Sequence, residues 1–159
     1  MNIESISFYN NRQELKEALR TLVLSTEPKV FATAVFNDYA SPERGRAAMK
    51  RLHAKIDLKL FGRYFYKTAA KKRTFFFAFP ENISSNLHYH LLVRPPANKI
   101  ERFINVAPKV WQDICPQGNL KLALLSTEED RQKVSFYSTK DTFIEKNFEN
   151  FIISSEFCS

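Results

Sequence analysis

Two of the three histidines in this 159-residue chain stand one residue apart, in Asn86-Leu87-His88-Tyr89-His90-Leu91-Leu92-Val93-Arg94. The stretch is apolar enough to read as a strand. Side chains alternate across a strand, so His88 and His90 share one face, about 7 Å apart along it, while Leu87, Tyr89 and Leu91 take the other. Two imidazoles so placed can converge on one metal ion. Glu81 lies at the foot of the preceding apolar stretch, and if the two segments pair, its carboxylate reaches the same face. Two imidazoles and one carboxylate leave coordination positions open for substrate oxygens, as a catalytic metal site requires. Tyr137 and Lys140 form a second group, three residues apart on an expected helix and therefore on one face of it. A tyrosine hydroxyl has an ordinary pKa of about 10, so as a nucleophile it needs a neighbouring cation or base. Lys140 can supply that cation or hold a phosphate. Tyr-x-x-Lys by itself is ordinary helix surface, and its weight comes from the residues it accompanies.

These groups must be positioned by the elements around them. Residues 11–24 carry Leu15, Leu19, Leu22 and Val23 at helical spacing, a leading helix within residues 1–28. Val30 to Asn37 is apolar on both faces apart from Thr33, as in a central strand. Ser41-Pro42 is an N-cap followed by a first-turn proline, and Met49, Leu52, Ile56 and Leu60 form the stripe of a helix ending at Gly62. Arg63 to Lys72 follows as a basic aromatic connector. Thr74 to Phe79 reads as a buried strand closed by Pro80, and Glu81 to Asn86 as the loop leading into the histidine strand. That strand ends at Pro95-Pro96. Asn98 is the expected cap of a helix running through Phe103, Ala107, Val110 and Trp111, with Pro108 expected to kink or split it. Leu120 to Leu125 makes another strand, with Lys121 outward or at an edge. Ser126-Thr127 caps a helix over about 128–141, and residues 143–159 form a last strand or a packing arm. This order predicts an α+β domain over 1–159 with a mainly antiparallel sheet, a class in which one face can stay open for binding.

Composition narrows the chemistry. Three glycines, with no Gly-x-Gly-x-x-Gly or Walker pattern, argue against a nucleotide cofactor. Two cysteines without metal-ligand spacing point to a reducing cytoplasm, and no apolar run approaches a membrane span, so no membrane partner is expected. The net charge of +7 is concentrated: eleven basic residues against the single acid Asp57 make the segment from Arg44 to Arg73 +10 and leave the rest −3. With aromatics interleaved at its end, this segment suits a polyanion with unpaired bases. Arg44, Arg51, Lys55, Arg63, Lys67, Lys71, Lys72 and Arg73 are its candidate phosphate contacts, and Tyr64 and Tyr66 its candidate stacking faces.

A strand ending in Phe36-Asn37, a Glu81 preceding His88-Tyr89-His90-Leu91-Leu92, and a later Tyr137-x-x-Lys140 occur in an order that resembles the HUH endonucleases of the rolling-circle replication initiator (Rep) type, over about residues 30–141. The resemblance implies a five-stranded antiparallel sheet similar to an RNA-recognition or ferredoxin-like fold. It also implies magnesium or manganese held by His88, His90 and Glu81, and a single tyrosine, Tyr137, that attacks single-stranded DNA with Lys140 assisting and leaves a 5′-phosphotyrosyl link. Imidazole ligation alone suits zinc or iron as readily, so the choice of metal rests on the resemblance. Without a motor of its own, an initiator of this size would borrow a host helicase at its origin. Three other readings compete with this one. A single-tyrosine HUH transposase acting on hairpin ends shares the chemistry, a non-catalytic single-strand nucleic-acid binder shares the fold, and a two-histidine, one-carboxylate iron oxygenase leaves the basic belt without a role.

Overall fold

The computed structural model describes residues 3–144 and 146–158, with side chains from residue 10 onward. The ends of the leading helix and of the C-terminal arm expected from the sequence thus fall partly outside the described residues. Among the described residues, five α-helices and five strands follow in the order α1 (Ile3–Ser25), β1 (Val30–Val35), α2 (Pro42–Phe61), β2 (Phe75–Glu81), β3 (His88–Arg94), α3 (Ile100–Ile114), β4 (Asn119–Leu124), α4 (Glu128–Thr139), α5 (Asn147–Asn150) and β5 (Ile152–Ile153). The strands form one sheet in the order β4-β1-β3-β2-β5, with every pairing antiparallel. This is the α+β architecture expected from the sequence. No helix among the described residues is long and apolar enough to cross a membrane.

Alternation along the strands divides the core in two. Ala32, Ala34, Phe76, Ala78, Tyr89, Leu91 and Val93 face α2 and α3, whose Met49, Leu52, Ile56, Phe103, Ala107, Val110 and Trp111 complete the larger cluster. Phe77, Phe79 and Leu92 face the other way, onto Leu19 and Val23 of α1 and, more loosely, Val134 of α4. Gly45 lets α2 lie close to the sheet, since a Cβ there would collide with the Tyr89 hydroxyl. Gly62 caps α2 at φ 83°, a left-handed conformation that costs glycine little, with its N–H donating to the Leu58 carbonyl.

Several boundaries depart from the sequence reading. The leading helix begins at Ile3, well before residue 11. Pro80 does not close β2: the strand runs through it to Glu81, and Pro80 stands opposite Tyr89. Because β5 pairs only with Phe77 and Ala78, one edge of β2 is open beyond them, where a proline is tolerated in extended backbone. Asn98 does not cap α3. It takes the left-handed conformation at φ 62°, which asparagine accepts in a turn, and Lys99 occupies the cap position without a side-chain bond. Pro108 does not split α3, because the buried row of Phe103, Ala107, Val110 and Trp111 holds the helix together across the missing bond. The α4 helix ends at Thr139, and its start has the expected cap in full, with Thr127 accepting from the Asp130 N–H and Asp130 accepting from that of Thr127. The tail supplies both α5 and the short edge strand β5.

Candidate metal centre

The strand pairing brings Glu81 and the two histidines together. Glu81 is the last residue of β2 and stands directly opposite His88, the first of β3. The chain reverses immediately after Glu81, where Asn82 adopts φ 53° and its carbonyl accepts from the Ser85 and Asn86 N–H groups. One carboxylate oxygen, Glu81 Oε2, lies 2.8 Å from His88 Nε2 and 3.2 Å from His90 Nε2. One ligand atom from each residue falls within 4.8 Å of the other two. The cluster sits at the rim of the sheet, with side chains 17%, 15% and 7% exposed for Glu81, His88 and His90, dry enough to strengthen electrostatics yet open to a ligand.

The far ring nitrogens are tied to their surroundings. His88 Nδ1 is 3.2 Å from the Asn86 carbonyl and His90 Nδ1 is 3.3 Å from the Thr33 hydroxyl, which leaves both Nε2 atoms aimed at the carboxylate. The His90 ring also stacks on Phe31 at 5.5 Å. Burial pushes the His90 pKa below its ordinary value against the pull of Glu81, and the charges of His88 and Lys140 push the same way. Burial acts to raise the pKa of Glu81, but its hydrogen bonds and charge interactions with His90 and then His88 outweigh this and hold it below the ordinary carboxylate value. The cluster thus pairs an ionised carboxylate with an imidazole biased toward its neutral, metal-binding form. Glu81, His88 and His90 could hold a divalent metal ion.

The tyrosine expected beside this site lies on the same face of the sheet. The Tyr137 ring packs edge-on to His90 at 5.2 Å between centroids and remains 44% exposed. Lys140, just past the end of α4, places Nζ 4.2 Å from the centre of that ring. α4 is held in place through α1: Arg20 Nε donates to Thr139 Oγ1, and Lys16 Nζ to the Lys140 carbonyl. Tyr89 lies between the two histidines in sequence but points into the opposite core, where burial raises its pKa to about 12.

The basic belt is not part of this cluster. α2 packs on the opposite face of the sheet, and the connector reaches β2 at Phe75, the end remote from Glu81. Arg44 bonds Asp38 and the Tyr39 carbonyl, while Arg51 is exposed and Lys55 half-buried on α2. Arg63 and Lys67 flank the ring of Tyr64, which meets Tyr66 edge-on, and both tyrosines are exposed. Lys71 and Lys72 are exposed as expected. Arg73 is not, contrary to its expected place on a phosphate-gripping surface. It is buried, with Nε 2.8 Å from Asp57 Oδ2, because the carboxylate of Asp57 inside α2 needs a compensating charge.

Sequence reasoning did not assign Thr33, Phe31 or the Asn86 carbonyl to the site. Only Thr33 carried a signal, as the one polar residue in an otherwise apolar strand. Compared with family models, with curated proteins and with solved structures, the chain matches none.

Proposed function

We propose that this protein is a metal-dependent endonuclease and strand transferase for single-stranded DNA, an HUH enzyme of the replication-initiator type. The observation that carries this reading is the packing of Tyr137 against His90, on the face of the sheet that also presents His88 and Glu81, with Lys140 over the tyrosine ring. Far apart in sequence, a tyrosine and a candidate metal cluster are thus neighbours.

The residues have separate roles. His88, His90 and Glu81 would hold magnesium or manganese, with Thr33 and the Asn86 carbonyl fixing the rings. When bound, the ion supplies positive charge to the non-bridging oxygens of a phosphodiester. Tyr137 Oη attacks phosphorus in line: the new bond is Oη–P, the bond broken is P–O3′, and the strand leaves as a free 3′-hydroxyl. The phenolic proton passes to solvent, and the departing 3′-oxygen takes up a proton from solvent. Because the phosphotyrosyl link preserves the phosphodiester's energy, a 3′-hydroxyl from the same or another strand can reverse the step and join ends without a nucleotide cofactor. Unwinding of a duplex origin falls to another protein, such as a host helicase. Cys115 and Cys158 are both free thiols, as suits the cytoplasm.

The test is to incubate the protein with single-stranded oligonucleotides and manganese and look for a covalent adduct on a denaturing gel. Tyr137→Phe should abolish the adduct, a loss of more than about 10⁴-fold, with DNA binding unchanged within about twofold. Absence of an adduct across a random-sequence pool, with the protein folded, would overturn the reading. Retained DNA-dependent function in Tyr137→Phe would favour the non-catalytic binder.

A further inference from the structure

A cavity of about 640 Å³ lies at the opposite end of β3 from the histidines. Five cations line it, Lys29, Lys71, Lys72, Arg73 and Arg94, with no carboxylate among the described residues that line it. Asp57 meets the charge of Arg73 from behind, whereas Lys29, Lys71, Lys72 and Arg94 have no carboxylate partner among the described residues. Four cations without a carboxylate partner among the described residues repel one another around one hollow, and an anion would relieve that repulsion. The walls between them are apolar, formed by Phe61, Pro95, Pro96 and Ile100, a surface suited to a sugar or base rather than to water.

The frame is set before anything binds. The Lys29 N–H donates to the Val93 carbonyl and its own carbonyl accepts from the Leu125 N–H, which fixes Lys29 between strands. Lys71 and Lys72 ride on a tight turn closed by the Lys72 N–H to the Ala69 carbonyl and the Arg73 N–H to the Ala70 carbonyl. The Arg94 guanidinium lies 5.0 Å from the centre of the Phe75 ring.

We infer that this pocket is a second anchor for the DNA strand whose cleavage is proposed above, holding successive phosphates against Lys29, Lys71, Lys72 and Arg94. That the polyanion is DNA rests on the proposed function. His88 and Arg94 are the two ends of β3, about 20 Å apart at strand rise, a span that a few successive phosphates of one extended strand can cover. One continuous polyanion can therefore occupy both sites, whereas a single small anion cannot neutralise cations spread around the whole cavity.

The test is fluorescence anisotropy with a labelled strand of about 20 nucleotides in EDTA, as a function of salt. The variants are Lys71→Glu/Lys72→Glu and Lys29→Glu, with the exposed Lys109→Glu as a charge control. The double variant should bind about 10-fold or more weakly, with the salt slope reduced by about 1.5, and Lys109→Glu should change both much less. Wild-type affinity and slope in the folded double variant would overturn the inference. So would equal losses for Lys109→Glu, which would mean diffuse attraction. Displacement of the strand by millimolar inorganic phosphate or nucleoside monophosphate would overturn it in favour of a free-anion site. Because binding is read without metal, loss of adduct formation with this pattern intact defeats the nuclease reading alone.

Discussion

The three histidines occupy two clusters that share their chemistry and differ in their surroundings. His53 lies on the buried face of α2, 1% exposed, with Nε2 donating to the Thr74 carbonyl at 2.7 Å and 3.7 Å from the wholly buried Asp57, whose charge Arg73 neutralises. His88 and His90 lie at the sheet rim, share one oxygen of Glu81, and among the described residues have no arginine to close the cluster. A histidine, a carboxylate and a permanent cation in a dry interior satisfy one another and act as a structural joint. Two histidines and a carboxylate at an accessible rim retain unspent ligand capacity. Burial and charge balance, more than residue type, separate the two.

The largest effect that would test this contrast is on stability. Asp57→Ala leaves Arg73 buried without its partner and should cost about 3–5 kcal/mol, a fall in melting temperature of about 10 °C by calorimetry. Glu81→Gln should show the converse: stability within about 1 kcal/mol of wild type, but manganese affinity, read by calorimetric titration, weaker by more than about 100-fold. If Glu81→Gln unfolds the protein as Asp57→Ala does, the rim cluster is another structural joint. A smaller effect is expected from Thr33→Val, which removes only the hydroxyl that orients His90; manganese affinity should fall about 10-fold and Thr33→Ser should restore it.

The smallest effect is on pH dependence. Burial holds the His53 pKa below its ordinary 6.5, outweighing the attraction of Asp57. A depressed folded-state value means that the unfolded chain takes up the proton first. The stability due to neutral His53 is therefore complete above about pH 6.5 and declines as pH falls toward the folded-state value. His53→Gln, which keeps a donor for the Thr74 carbonyl, should show a shallower drop in melting temperature between about pH 7 and pH 5. An unchanged slope would show that His53 does not carry this acid sensitivity.

Much of the fold was legible because its signals are local. The cap and proline at Ser41-Pro42, the glycine at Gly62 and the Thr127 cap mark helix ends through bonds made within a few residues. Pro80, Asn98 and Pro108 misled for the opposite reason. Each obeys a local rule that tertiary context overrides, through an open sheet edge, a left-handed turn or a well-packed helix face. The candidate site divides in the same way. His88 and His90 share a face by strand alternation alone, but Glu81 joins them only through the register of β2 against β3, and Thr33 only through that of β1.

What the sequence determined by itself was the periodicity of the elements, the pairing of two imidazoles on one strand face and the concentration of positive charge between Arg44 and Arg73. Tertiary structure decided which charges are free and which groups meet. It buried Arg73 against Asp57 and set α2 with its cations on the face of the sheet away from the histidines. It also carried Tyr137 across the chain to His90. The physical reason is that spacing along the chain fixes only which side of an element a residue occupies, whereas proximity between elements is set by the burial of their apolar faces.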